Sequence, residues 1–264
     1  MLGRITTVNG QWNQSKKSCE DRGWPSRHAI DDATLNKYEF ESMHQFRNWQ
    51  WYKGKGSGQI VTFGSHQIDI YSWFLEANPK SVMAGGGTDY WKGRDWYDNV
   101  MAIYEYQTRE GTVRVLYQTI TTNDSEYYYE KFMGVEGTLV ISEYSWCIKA
   151  ERQPGLGAEK WERWIQKGYL KSNAPPKKFS ESGIEIIPDQ SLPSPTPSYG
   201  IPITVGGKPY HLLHLENFFD AIRGKATLSC PAEVGYRTVV AVLKVNEAIE
   251  AGRKLEFQPD EFAV

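Results

Sequence analysis

The chain has 264 residues and a formal net charge of −2 at pH 7, which argues against nucleic acid as the main partner because phosphate binding needs an excess of cations. No apolar run approaches the roughly 18 residues that a membrane span needs, and no signal peptide is visible at the N-terminus. The sequence therefore predicts a cytoplasmic protein without membrane association, and its three widely spaced cysteines indicate neither a disulfide framework nor a metal site.

The predicted elements begin close to the N-terminus. Residues 4–12 alternate β-branched and polar side chains, a pattern typical of a strand. Residues 15–46 are polar, charged and only weakly periodic. They predict an excursion from the domain, a rim or lid with one short helix around residues 32–38.

A glycine-rich turn follows at residues 54–58. It leads through a short apolar run, Ile60 to Phe63, into the helical pattern of Ser65 to Leu75. Beyond this helix, five segments rich in β-branched and aromatic residues alternate with short turns, which predicts an antiparallel meander. These predicted strands are residues 81–84, 99–106, 112–120, 127–133 and 138–142.

Residues 155–205 differ in composition from the segments on either side. They mix charges with Pro175–Pro176 and with the run 191–197, and this stretch is too rich in proline for a core element. It is also too short to separate two domains. We therefore interpret it as a surface insertion.

Two predicted helices close the chain. Residues 211–223 carry an apolar stripe and stop at a glycine, the residue type that best ends a helix, and residues 231–252 repeat this pattern. A short strand at residues 254–257 then returns to the sheet. Together the elements predict one α+β domain over residues 1–264, a mostly antiparallel open sheet with helices packed on one face.

Several motifs of common enzyme classes are absent from the sequence. Gly54, Gly56 and Gly58 are spaced by two, and no helical pattern follows Gly85–Gly87, so neither run forms the G-x-G-x-x-G of a dinucleotide site. The sequence also lacks a phosphate-loop motif, the H-E-x-x-H of zinc proteases and the G-x-S-x-G of serine hydrolases. The anchoring residues of these classes are therefore missing.

Four segments carry a family resemblance. Residues 58–75 read GQIVTFGSHQIDIYSWFL, and shorter matches run through residues 98–106, 132–139 and 214–223. With these motifs the chain resembles the C-terminal domain of the Gfo/Idh/MocA family of NAD(P)-dependent oxidoreductases, which act on sugars, inositols and related polyols. The resemblance covers nearly all of the chain outside residues 15–45 and 155–205.

The resemblance implies a two-part enzyme of which this chain is one part. In the family a Rossmann domain precedes this domain, binds NAD or NADP and supplies a catalytic lysine from a Glu-Lys-Pro motif. The present sequence has no counterpart of the dinucleotide fingerprint or of that lysine. It therefore resembles a substrate-binding and oligomerisation domain whose NAD or NADP is not bound by this chain alone, and a separate Rossmann-domain subunit is one candidate partner.

The family's catalytic signature in this domain is an Asp and a His four residues apart, which bracket a strand-to-helix turn and point at the substrate carbinol. The matching residues here are Thr62 and His66. A hydroxyl cannot replace a carboxylate as the charge partner of an imidazole, so His66 lacks the group that orients it. In the first turn of a helix His66 is expected to be neutral, because the macrodipole disfavours the imidazolium.

Asp69 follows His66 at i+3 on the same helical face. Two interpretations stay open for this residue. It orients His66 or binds a substrate hydroxyl, or it only complements the N-terminal end of the helix dipole.

Further substrate-binding candidates are aromatic and amide residues. Asn48, Trp49 and Gln50 precede the glycine-rich turn, and they are predicted to form a wall for a polyol. A plain core role fits Trp49 and Trp51 equally well. Tyr127 begins a run of three tyrosines that alternate between the two faces of a strand, so at least one of them points toward a ligand or another subunit.

The bare face of the predicted sheet bears on the function. Aromatic and β-branched residues exposed there favour aggregation, so we predict that a second copy covers them in a homo-oligomer. The first functional hypothesis is an oxidoreductase-family protein that binds a sugar or cyclitol and lacks its own NAD(P) domain. The alternative is a non-catalytic carbohydrate-binding or scaffolding homo-oligomer.

Overall fold

The structure, a computed structural model, describes residues 1–144, 147–153, 158–172, 196–202 and 207–264. Its contacts divide the chain into two compact units. One unit combines Met1–Thr7 with Lys131–Leu228, and the other combines Val8–Glu130 with Ser229–Val264. The extent of the predicted single domain, residues 1–264, stays a prediction.

Ten strands lie in one sheet in the part of the chain that the structure describes. They are β1 (Ile5–Asn13), β2 (Pro79–Gly87), β3 (Asn99–Thr108), β4 (Gly111–Ile120), β5 (Tyr128–Gly134), β6 (Gly137–Ile141), β7 (Lys149–Arg152), β8 (Lys171–Ser172), β9 (Ser198–Gly200) and β10 (Leu255–Glu256). The strand order is β10-β2-β3-β4-β1-β5-β6-β7-β9-β8. Pairing is mostly antiparallel, which confirms the predicted fold class.

Eight α-helices lie within the same described residues. They are α1 (Lys16–Cys19), α2 (Asp32–Lys37), α3 (Met43–Arg47), α4 (Gly58–Thr62), α5 (Gly64–Leu75), α6 (Ala158–Gln166), α7 (Tyr210–Ile222) and α8 (Ala232–Ala251). Short 3-10 helices cover Ser26–His28, Trp49–Trp51 and Pro259–Phe262. None of the helices described here has the length and apolar character that crossing a bilayer requires.

Buried tyrosines join the sheet to α5 and α8 in the second unit. The Tyr104 hydroxyl on β3 donates to the Ala241 carbonyl on α8, and the Tyr117 hydroxyl on β4 donates to Gln67 Oε1 on α5. The inward-facing residues of β3 and β4 are almost fully buried, whereas the alternate residues are exposed or half-buried. Helices α5 and α8 thus lie on one face of the sheet, as predicted.

The opposite face carries an exposed apolar row, here called the outer row. It consists of Met83, Ile103 and Leu116 on three neighbouring strands. The register pairs Met83 with Ile103 and Ile103 with Leu116, so the three side chains lie side by side. Met101 extends this exposed apolar surface along β3.

The first unit contains a small core around α6. Trp161 on this helix is buried with Ala150, Leu170 and Tyr199. Residues 155–205, the predicted surface insertion, contribute to this core the amphipathic helix α6 and Tyr199 of β9. Pro175–Pro176 and most of the run 191–197 lie outside the described residues.

Arg94 connects the excursion to the rest of the second unit. Arg94 stacks between the rings of Trp51 and Trp91, with the guanidinium carbon 4.4 and 4.1 Å from their centroids. It also donates to the Cys19 carbonyl at 2.5 Å and to Asp21 Oδ1 at 2.6 Å. We call these contacts the Arg94 clamp. Burial also raises the pKa of the Cys19 thiol to about 11.

Candidate functional site

The junction of α4 and α5 positions the two residues of the predicted catalytic pair. The Thr62 hydroxyl is exposed and donates to the Gly58 carbonyl within its own helix, at 3.2 Å. The Phe63 amide continues this pattern by donating to the Gln59 carbonyl at 2.8 Å. The pair therefore brackets a helix-to-helix junction, and the expected strand-to-helix turn is wrong. Gly58 is the first residue of α4 and has φ +76°, a left-handed conformation. The apolar run from Ile60 to Phe63 does not predict it.

His66 lies in the first turn of α5, as predicted, and its side chain is exposed. Its ring packs against Trp12 at a centroid distance of 5.3 Å. Trp12 in turn stacks on Tyr128 at 4.3 Å and on Phe63 at 5.4 Å. We call Trp12, Phe63 and Tyr128 the aromatic cluster. It places half-buried aromatic rings beside an imidazole that has no hydrogen-bond partner among the described residues.

A cavity of about 620 Å³ opens farther along α5, between this helix and the beginning of α8. Its lining combines the carboxylates of Asp69 and Glu76, the indole of Trp73 and the guanidinium of Arg237. Within the described ranges Arg237 has neither a hydrogen-bond nor an ion-pair partner, so its donors face the cavity or solvent. Volume and mixed lining are those of a small-molecule site.

Asp69 is held in this cavity by α8. Thr238 Oγ1 donates to Asp69 Oδ1 at 2.7 Å, and no hydrogen bond joins Asp69 to His66 among the described side chains. No contact supports orientation of His66 by Asp69, and both the binding of a substrate hydroxyl and a role at the N-terminal end of the helix dipole stay predictions for this residue. Together with burial, the Asp69 charge raises the pKa of the neighbouring Cys230 thiol, which is therefore protonated at neutral pH.

Asn48 is oriented inward, at 2% exposure. Its amide donates to the carbonyls of His44 and Arg22 and accepts from the Arg22 N–H, at 3.0, 3.3 and 2.7 Å. These bonds tie α3 to the segment around Arg22 and use most of the hydrogen-bonding capacity of the Asn48 side chain. Trp49 is 50% exposed and Gln50 half-buried, so both remain available to a ligand, and their binding role stays a prediction.

Tyr127 lies just before β5 and not within it. Its φ of +48° and that of Glu126, +58°, are left-handed, so the predicted strand 127–133 begins one residue too early. The Tyr127 carbonyl accepts from the Asn13 amide at 2.9 Å, and the phenol ring is 42% exposed. Contact with a ligand or a second copy stays a prediction for this residue.

Comparison with known proteins decides the family. A model described as the GFO/IDH/MocA C-terminal domain matches residues 1–140 of this chain, which is more than half of it. The chain belongs to this family. A search of curated proteins returned no match.

Solved structures of the GFO/IDH/MocA family share the fold at low identity. An NAD-binding protein from Listeria innocua aligns with TM-score 0.57 and 17% identity, over 100% of this chain and 58% of that one. Levoglucosan dehydrogenase in complex with NADH and L-sorbose gives TM-score 0.61 and 14% identity, over 100% and 61%. WlbA dehydrogenase from Bordetella pertussis, in complex with NADH and UDP-GlcNAcA, gives 0.54 and 13%, over 98% and 57%. The chain thus spans about three fifths of the length of these structures.

The glycine-rich segments of this GFO/IDH/MocA domain do not fit a dinucleotide. A side chain at Gly56 would meet the backbone of Gln50, and one at Gly58 would meet the ring of Trp96, so both glycines serve internal packing. Gly85–Gly87 lie within β2. Neither segment offers the strand-to-helix turn that cradles a pyrophosphate.

No group of three or more His, Cys, Asp and Glu residues within the described ranges is placed to hold a metal ion.

Two residues of the site, Trp12 and Arg237, were not predicted from the sequence. Alternation along β1 carries a signal for Trp12, because Trp12 shares a strand face with Gly10 and Val8. For Arg237 no local pattern exists, since its position depends on how α8 packs against α5.

Proposed function

We propose that this chain binds a sugar or cyclitol along α5. Oxidation or reduction of that ligand then depends on NAD or NADP held by a Rossmann-type domain outside residues 1–264. The observation that carries the proposal is the exposed, unpartnered imidazole of His66 on the aromatic cluster, next to the cavity that contains Asp69. The sugar-bound relatives agree with this substrate class.

The chemistry of the site suits a polyol. Sugar rings stack their C–H faces on flat aromatic surfaces, which the aromatic cluster supplies. Sugar hydroxyls both donate and accept hydrogen bonds, and a carboxylate such as that of Asp69 accepts them. An unprotonated His66 nitrogen can accept the proton of a hydroxyl. We therefore assign to His66 the transfer of a proton at the substrate carbinol when a hydride acceptor is present.

The test is a pair of titrations on the chain as it stands. Isothermal titration with glucose, galactose and myo-inositol is expected to detect binding to the wild type, and His66→Ala is expected to weaken it about tenfold, since a hydrogen bond to a ligand hydroxyl is lost. NADH titration followed by nicotinamide fluorescence is expected to show binding only when a Rossmann-domain partner is added. NADH binding to the chain alone would contradict the proposal.

One observation favours the non-catalytic alternative. The Thr62 hydroxyl is used within α4, and no carboxylate is hydrogen-bonded to His66 in the described residues. The imidazole thus lacks a carboxylate partner that would orient it for proton transfer. Sugar binding that is retained without any turnover in a reconstituted complex would support a carbohydrate-binding or scaffolding homo-oligomer.

Thr62→Asp separates these two functions. The new carboxylate stabilises the imidazolium of His66, so we expect at least about a tenfold higher turnover in a complex reconstituted with a Rossmann-domain protein. Thr62→Asn has nearly the same shape without the charge, and it is expected to leave turnover unchanged. Equal rates for both variants would show that the missing carboxylate is not what limits activity.

The outer row supports a homo-oligomer. Met83, Ile103 and Leu116 form an exposed apolar surface on the sheet, and pairing with a second copy removes it from water. Multi-angle light scattering is expected to give at least twice the chain mass at micromolar concentration, and Ile103→Lys is expected to shift it to one chain mass. Gln107→Lys is the control, because it adds the same charge at an exposed position near the end of β3. A wild-type monomer would contradict this assembly.

A further inference from the structure

His66 and the cavity share one face of α5. His66, Asp69, Ile70 and Trp73 follow each other at i, i+3, i+4 and i+7, the spacing of a single helical stripe. The opposite stripe is buried in the core and consists of Gln67, Ile68, Tyr71 and Leu75. We call the stripe that begins at His66 and ends at Trp73 the outer stripe of α5. A ligand that lies along this outer stripe meets the aromatic cluster first and the cavity next.

The length of this stripe exceeds one sugar ring. The rise of an α-helix is 1.5 Å per residue, so about 15 Å separate His66 from Glu76 at the far end of the cavity. A monosaccharide seated beside His66 cannot reach that far. A ligand that contacts both ends needs at least one more ring.

The lining of the cavity has the features of a sugar subsite. Trp73 is 73% exposed and offers an indole face to a ring. Asp69 and Glu76 accept hydrogen bonds, and Arg237 donates them. Two carboxylates against one guanidinium do not favour an anionic ligand, whereas a neutral group rich in hydroxyls matches both kinds of partner.

We propose that the cavity between α5 and α8 is a subsite for a second sugar unit, so that the ligand is a glycoside or oligosaccharide and not a free monosaccharide. This inference rests on the proposed function, since it assumes that the first sugar ring binds beside His66. The first sugar ring places its carbinol at His66. The second sugar ring lies between Trp73 and Arg237.

Isothermal titration of matched pairs tests the subsite: glucose against maltose and cellobiose, and galactose against lactose. At least one disaccharide is expected to bind about tenfold tighter than its monosaccharide, the gain of one or two added hydrogen bonds and a stacked ring. Arg237→Met and Trp73→Leu are expected to remove most of that gain, measured in each variant as the ratio of disaccharide to monosaccharide affinity.

Two control variants accompany these substitutions. Arg253→Met removes an exposed arginine just beyond α8, and Trp24→Leu removes an exposed tryptophan of the excursion, and neither residue lines the cavity. Both are expected to keep the gain. Circular dichroism confirms that each variant is folded before titration.

The outcomes separate the two proposals. Disaccharides that bind no tighter than monosaccharides, or a gain that survives in Arg237→Met and Trp73→Leu, would overturn the subsite and leave the proposed function intact. No binding by any sugar of the panel would overturn the proposed function together with the subsite.

Discussion

Gly10→Ala is expected to lower the free energy of unfolding by about 3 kcal/mol, the upper end for overpacking of a core. A Cβ at Gly10 would overlap the hydroxyl oxygen of Tyr71 and lie 2.9 Å from the Tyr129 carbonyl. Tyr71 is fully buried on α5 and packs edge-on against Tyr117, so it has no room to move away. Burial also raises the pKa of Tyr71 well above its usual value, which keeps the phenol neutral.

Urea unfolding followed by tryptophan fluorescence measures this loss. Gly235→Ala is the matched control, because Gly235 lies within α8 with open space around it. Alanine at this position is expected to raise the free energy of unfolding by about 0.5 to 1 kcal/mol. The double variant Gly10→Ala, Tyr71→Phe removes the overlapping oxygen and is expected to recover part of the loss. A Gly10→Ala variant as stable as the wild type would show that Tyr71 does not pack against β1.

Arg94→Met is expected to lower the free energy of unfolding by about 2 to 4 kcal/mol and to release the excursion from the Arg94 clamp. The Arg94 side chain is 4% exposed, and its removal leaves the Cys19 carbonyl and the Asp21 carboxylate without these donors. Loss of charged hydrogen bonds contributes about 1.5 to 3 kcal/mol each when buried. The 39% exposure of Asp21 reduces its share, because water screens that pair.

Limited trypsin digestion reports on the released segment. Cleavage at Lys16, Lys17 and Arg22 is expected to accelerate in Arg94→Met, whereas Arg27→Met, an exposed arginine of the excursion, is expected to change the free energy of unfolding by less than about 0.5 kcal/mol. Arg94→Lys is expected to be intermediate, because an ammonium keeps the charge but does not stack as a planar group. Unchanged proteolysis in Arg94→Met would show that the Arg94 clamp does not hold the excursion.

The sheet and its helical face were predictable because they follow from side-chain period. Alternation in β3 and β4 marks buried tyrosines and exposed partners, and α8 ends at Gly252, as predicted, with this glycine in the left-handed conformation. The predicted short helix at residues 32–38 is α2, which Asp31 caps by accepting from the Thr34 amide. Local patterns carry this information.

Features that depend on distant residues were not predictable. The Arg94 clamp joins rings that are separated by 40 positions in the sequence, and no periodicity links Trp51 to Trp91. The apolar run that becomes α4 contains β-branched residues typical of strands, but the left-handed Gly58 and the packing of Trp96 favour a helical turn. At α4, tertiary contacts thus override local propensity.

The candidate site was predictable in part for the same reason. His66 and Asp69 follow from a motif and from helical spacing, and the structure places both on the outer stripe of α5. Trp12 and Arg237 come from other elements, and only their packing against α5 brings them to the site. Asn48, chosen for its neighbours in the sequence, serves the fold through bonds to Arg22 and His44.

A crystal structure of the chain soaked with the tightest-binding sugar of the panel tests the central claim most directly. The account predicts a ring on the aromatic cluster, with a hydroxyl within hydrogen-bond distance of a His66 ring nitrogen. A sugar bound only on the outer row, or at any place without contact to α5, would contradict it.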